Sequence, residues 1–256
     1  MQNSAFFVHQ ESYNGSMKVS SKKSRKQKIL NLATNFLLLC GVVAVSLISF
    51  MPKSQPASTT QASVIYEGNR QSNCVSLMIN VYWGTEYIHP MLKVLEEKGV
   101  KTTFFVGGMW VSENPEVLKQ IASSGHEIGN HGYNHKDHDK LSESANCEEI
   151  VACNNVIKSV LGFAPMLFAP PSGAYNKTTV SVASALSMKT IMWTRDTIDW
   201  RDKDAALICS RALKDVKGGD LVLMHPTQKT LEALPAIIDG ILQKGLTVAT
   251  VSQTIA

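Results

Sequence analysis

The chain has 256 residues, 44% hydrophobic and 18% charged, with 16 Gly and 9 Pro; this excludes disordered and collagen-like classes. Its net charge of +4 is unevenly placed: residues 1–28 hold six cations (Lys18, Lys22, Lys23, Arg25, Lys26, Lys28) and one anion (Glu11), so the remainder carries −1. A nearly neutral body excludes a nucleic-acid platform, which needs basic residues grouped on the folded surface.

Ile29 to Met51 is a run of 23 residues without a charge, directly behind the six cations. About 20 residues cross a bilayer core, so the run is expected to be a transmembrane signal anchor. The basic tail 1–28 then stays in the cytoplasm, and everything after Met51 is exported to the outer face of the cell membrane. Its densest apolar part, Phe36–Phe50, also has the length of a cleavable signal region, which would leave a secreted protein. Residues 52–63 (PKSQPASTTQAS) have linker composition, and the folded domain is expected over 64–256. Cys74, Cys147, Cys153 and Cys209 are scattered without a C-x-x-C pair; they read as small buried hydrophobes or as disulfide partners in an exported protein.

From Cys74 onward, short apolar runs alternate with helix-like stretches. Strands are expected at Val75–Val81, Thr102–Val106, Glu127–Asn130, Met166–Ala169, Thr190–Thr194, Asp220–Met224 and Leu246–Val251. Between them, Met91/Leu92/Leu95, Val117/Leu118/Ile121/Ala122, Ile150/Cys153/Ile157/Val160 and Leu231/Leu234/Ile237/Ile238/Ile241 recur at helical spacing. Each set ends at a glycine placed to cap it: Gly99, Gly125, Gly162 and Gly245. This alternation is a β/α architecture with a parallel sheet, and its length favours a barrel over an open sheet.

Asn80, His131, Asp196 and His225 each fall at or just beyond the C-terminal end of an expected strand, where β/α folds assemble their sites. His131 and His135, in HGYNH, are four apart; on a helical turn both imidazoles would reach one ion. A third ligand is not selected by the neighbouring Asp137, His138 and Asp139. FAPPSG (Phe168–Gly173) is a stiff turn at a strand end. In DTIDW (Asp196–Trp200) a carboxylate and a tryptophan make either a sugar-facing wall or an ordinary loop. Asp196 could hold His225 from a neighbouring strand, and an Asp–His pair supplies a proton donor near neutral pH.

These pieces, in this order, resemble the polysaccharide deacetylase family (the NodB-homology domain, carbohydrate esterase family 4) from about Cys74 to Ile255. The LMINVYWG and HGYNHKDHDKLS runs are most similar to a branch from spore-forming bacteria, which would suggest a sporulation role. The resemblance implies a distorted (β/α)7 barrel, here preceded by one N-terminal transmembrane helix. It also implies a bound divalent metal, often zinc, and removal of acetyl groups from N-acetylated glycans such as peptidoglycan. By position, His131 and His135 match the metal histidines, His225 the general acid and Asp196 the carboxylate that orients it. Trp200 and Leu223 match the walls around the acetyl group, and the turn at Pro171–Ser172 brings the Ser172 N–H to the oxyanion.

Three departures stand against this. Asn80 occupies the catalytic-base position, and an amide cannot take a proton from water. No carboxylate is offered near Val81–Tyr82, where many members place a metal-binding Asp. Ala169 replaces the Arg that tethers the base. Loss of base and tether together is coherent, because an Arg buried without its carboxylate costs roughly 3–5 kcal/mol. Three functions follow: a carbohydrate N-deacetylase of impaired activity, in which Asp199 or Asp137 would have to substitute for the base; an inactive, membrane-anchored glycan-binding or scaffold protein on the same fold; or an anchored structural protein with a vestigial cleft that binds neither metal nor glycan.

Overall fold

A computed structural model of the chain describes residues 25–50 and 63–256, without the side chains of 25–27 and 42–50. The chain divides between residues 58 and 59. On the N-terminal side, α1 (Arg25–Phe50) exposes Leu30, Leu32 and Phe36 to Leu39. Among the described residues no helix is long and apolar enough to cross a membrane. The span expected over 29–51 is therefore not shown; Met51 and most of the linker 52–63 lie outside the described residues.

The body alternates strand and helix in one parallel sheet. In chain order it runs β1 (Val64–Ile65), β2 (Cys74–Val81), α2 (Thr85–Glu97), β3 (Thr103–Val106), α3 (Gly108–Glu113), α4 (Pro115–Ser123), β4 (Glu127–Asn130), α5 (Glu143–Leu161) and β5 (Leu167–Phe168). It continues with α6 (Lys177–Ala185), β6 (Lys189–Ile191), β7 (Arg195–Asp196), α7 (Ala205–Leu213), β8 (Leu221–Met224), α8 (Gln228–Gln243), β9 (Thr247–Ala249) and α9 (Val251–Thr254). The strand order is β1-β6-β5-β4-β3-β2-β8-β7, with β9 paired to the start of β2.

The sheet is curled rather than closed. β1 and β7 end the row, and no ladder joins them among the described residues, so the expected distorted barrel is seen as a curled, open half-barrel. Ile191 and Arg195 nonetheless lie near opposite ends of that row with only four peptide steps between them, a reach of about 14 Å. The two ends must therefore approach each other. At the foot of the gap the buried Asp220 accepts from Arg70 Nη1 (2.6 Å), which follows β1, and from Arg195 Nε (2.7 Å), which lies on β7. Burial opposes ionisation of Asp220, but its two guanidinium partners prevail and hold it below the usual carboxylate range.

Alternation along β2 sorts the core. Val75, Leu77, Ile79 and Val81 face the large cluster beneath α2, α4 and α8, whereas Met78 joins a smaller inner cluster with Phe105, Leu167, Ala169, Ile191 and Leu221. Cys153 packs in the outer cluster, its thiol pushed up to about 12 by burial, and all five cysteines are free thiols.

Candidate functional site

The C-terminal ends of β2, β4, β7 and β8 open into one cleft of about 320 Å³. Its lining includes Asn80, His131, His135, Asp196, Leu223 and His225, so the strand-end residues selected from the sequence do converge. Ser172 and Trp200 also line it. Pro171 is buried behind the turn, beside the loop at Gly132.

His131 follows β4 and is almost fully buried. Its Nδ1 lies 2.7 Å from the Ala169 carbonyl. A carbonyl can only accept, so Nδ1 carries the proton and Nε2 keeps its lone pair. The expected helical turn is absent: residues 131–137 form a loop with left-handed backbone at Gly132 (φ 71°) and His135 (φ 54°). A Cβ at Gly132 would lie 3.1 Å from His138 Nε2 and 3.2 Å from Pro171 Cγ, so the tight bend needs glycine. The loop still brings the two imidazoles together, with ring centroids 5.1 Å apart at 70°. Burial, followed for His131 by the neighbouring His135, holds both rings below the usual histidine range, hence neutral at pH 7.

Helix α5 holds this loop. Glu149, 5% exposed, accepts from the Tyr133 and Asn134 N–H groups (3.0 and 2.7 Å), from Asn134 Nδ2 (2.7 Å) and from Lys136 Nζ (3.0 Å). One turn earlier, Asn146 accepts from His138 Nδ1 at 2.7 Å. Neither residue was singled out from sequence; the signal available was polar residues at i and i+3 on the buried face of an otherwise apolar helix.

On the opposite wall the carboxylate that holds His225 is Asp199, not Asp196. Asp199 Oδ1 accepts a hydrogen bond from His225 Nδ1–H at 2.8 Å, while Oδ2 accepts from the His225 N–H (2.6 Å) and the Thr230 hydroxyl (2.5 Å). Asp196 sits in β7 and accepts from the Ile198 N–H at 2.7 Å. That turn puts Ile198 in the left-handed region (φ 55°), rare for a β-branched residue, and swings Asp199 beneath His225. Both carboxylates belong to DTIDW, so spacing alone does not choose between them. His225 is left with Nε2 for the cleft.

The base side is different. Asn80 is 3% exposed and its Oδ1 has no hydrogen-bond partner. Ala169 is fully buried in the inner apolar cluster, and Val81 faces the helices rather than the cleft. Neither substitute carboxylate is free. Asp199 is fully occupied, and Asp137 is paired with Lys140 Nζ at 2.6 Å, the main cause of its lowered pKa.

Among the described residues no group of three His, Cys, Asp or Glu side chains is placed to hold a metal. The donors at the cleft floor still fit a divalent cation in kind: two neutral imidazoles and an orphaned amide oxygen. Aromatic residues not selected from the sequence complete the walls. Tyr82 stacks on His135 (centroids 3.5 Å), and Trp193 faces the turn at Gly173.

A curled parallel β/α sheet carrying a His pair and an Asp–His dyad at its C-terminal rim defines a carbohydrate-esterase type of scaffold. Comparison with known proteins agrees: the polysaccharide deacetylase family model matches residues 67–191. A peptidoglycan-N-acetylglucosamine deacetylase of Bacillus cereus is 31% identical over 178 residues, covering 65% of this chain and 81% of that protein. The chain belongs to the polysaccharide deacetylase (carbohydrate esterase 4) family. The uncharacterized protein YlxY of Bacillus subtilis is 42% identical over 193 residues, which cover 75% of this chain and 60% of YlxY. Among solved structures, a CE4 family pseudoenzyme of Bacillus anthracis, BA3943, superposes with a TM-score of 0.74 at 36% identity, covering 76% of this chain and 69% of that one. A mutant of the same pseudoenzyme, described as having restored enzymatic activity, superposes equally well (TM-score 0.74).

Proposed function

We propose that this chain binds N-acetylated glycans of the peptidoglycan type in the cleft and releases acetate from them very slowly. The observation that carries this reading is the base position. Asn80 cannot accept a proton, and both replacement candidates among the carboxylates are already bonded. General-base catalysis contributes typically ~10²–10⁴-fold, so hydrolysis falls by that order. The uncharged run 29–51 behind six cations supports a membrane anchor that holds the domain against the wall from outside.

The remaining residues support recognition of an acetamido sugar. Trp193, Trp200 and Leu223 offer apolar walls for the acetyl methyl and the sugar face. The Asp199-held His225 presents Nε2 as a donor or acceptor. His131 and His135 would hold a divalent cation such as zinc, which when bound supplies Lewis-acid polarisation of the acetyl carbonyl. The intact Asp199–His225 dyad supports slow hydrolysis over none, because a proton donor for the departing nitrogen is kept.

The reading is tested by calorimetric titration of the full chain, in detergent micelles, with tetra-N-acetylchitotetraose and its fully deacetylated counterpart. Binding of the acetylated oligomer at least ~10-fold tighter, a difference of about 1.4 kcal/mol, is expected. Equal binding of the two would remove acetamide recognition.

A further inference from the structure

Behind the dyad lies a second cleft of about 390 Å³ that the reaction does not use. Its lining includes Trp83, Glu86, Tyr87, Asp199, Trp200 and Gln228, with further charged residues at 202, 203 and 229. Two features tie it to the first cleft. Trp200, 57% exposed, lines both. Trp83 lies parallel to the His225 ring, with centroids 6.1 Å apart at 5°, so one indole borders the acid from outside.

The cleft is built rather than incidental. Gly84 (φ 75°) lets the backbone after Trp83 pass so close to the loop before α8 that a Cβ there would lie 2.1 Å from the Pro226 carbonyl oxygen. This close passage sets Trp83 and Glu86, at the start of α2, opposite Gln228, at the start of α8. Trp110 Nε1 pins Thr85 in the same turn at 2.8 Å.

We propose that this cleft is a second sugar subsite, which takes the neighbouring pyranose of the glycan whose acetamide occupies the first. It rests on the glycan-binding reading above. A pyranose has an apolar C–H face and a rim of hydroxyls. Trp83 and Trp200 supply aromatic faces, while the exposed Glu86 carboxylate and Gln228 amide supply hydrogen-bond partners for the rim. With Trp200 common to both clefts, the strand crosses that indole and turns behind His225.

The test is titration of the full chain with N-acetylglucosamine oligomers of one to six units, followed by calorimetry and tryptophan fluorescence. Affinity is expected to rise about tenfold once the oligomer is long enough to fill the second cleft. Trp83→Ala should abolish that rise while leaving affinity for the shortest binding oligomer within about twofold. Because Trp83 borders His225, the surface variant Glu86→Ala/Gln228→Ala serves as an independent probe and should reduce the rise by about threefold or more. Affinity that does not depend on length, or a rise that survives both variants, overturns the subsite. A rise produced only by peptide-substituted muropeptides assigns the cleft to the stem peptide and also overturns it. No binding of any oligomer by the unmodified chain refutes the glycan reading itself.

Discussion

The two walls of the first cleft have opposite fates. On the acid wall, Asp199, His225 and Thr230 form a closed set in which both carboxylate oxygens are used and the imidazole has one orientation. On the facing wall, Asn80 has an unpartnered oxygen, and Ala169 is packed among apolar side chains. A buried charge needs all of its partners; Asp199 has them on one wall, and the other wall carries no charge at Asn80 or Ala169.

The largest stability effect is expected on the acid wall. Asp199→Ala leaves the His225 N–H, its Nδ1–H and the Thr230 hydroxyl without an acceptor, and should lower the unfolding free energy by about 3 kcal/mol in urea titrations. Asp196→Ala removes one bond to the Ile198 N–H and should cost less than about 1 kcal/mol. A reversed order would return Asp196 to the role the sequence suggested. Next comes the brace behind the His pair. Glu149→Ala strips acceptors from two backbone N–H groups, and should cost about 2 kcal/mol and speed amide exchange at Tyr133 and Asn134. Unchanged exchange there would show that the loop holds itself.

A third effect is pH-dependent. Burial, aided by Lys101, holds His126 down to about 4 against 6.5 for a free histidine. Between those values the unfolded chain binds a proton that the folded chain refuses. Stability is therefore greatest above pH 6.5 and falls as pH drops toward 4. His131, His135 and His138 are shifted in the same direction. Urea midpoints at pH 7, 5.5 and 4.5 should decline in order, less steeply in His126→Gln; an unchanged slope in that variant would exclude His126 as a contributor. The smallest effect is expected on the base wall. Asn80→Ala deletes an oxygen that bonds to nothing and should change stability by no more than about 1 kcal/mol. A larger loss would mean that Asn80 has partners after all.

Much of this was legible in the sequence. β2, β3 and β8 read as short apolar runs, and the glycines past α2, α4, α5 and α8 all adopt left-handed backbone as caps should. The two-residue strands β1 and β7 were not legible, since pairing to β6 and β8 defines them rather than any pattern of their own. The stretch expected as one strand over 190–194 ends at Ile191, because the chain crosses there to the far end of the sheet. Helices α3, α6 and α7 were missed because their apolar residues lack a clear stripe. The convergence of Asn80, His131 and His225 followed from strand-end placement. The choice of Asp199 over Asp196 did not, because it depends on a left-handed turn at Ile198 that propensity argues against.

The central claim, that the missing base is what limits chemistry in an otherwise competent cleft, is tested most directly by acetate release. The unmodified full chain and Asn80→Asp/Ala169→Arg would be assayed side by side with zinc and N-acetylglucosamine oligomers. Release at least ~100-fold faster from the double variant, at similar oligomer affinity, is the expected result. Equal rates in the two proteins, with the variant folded and binding, would contradict the account.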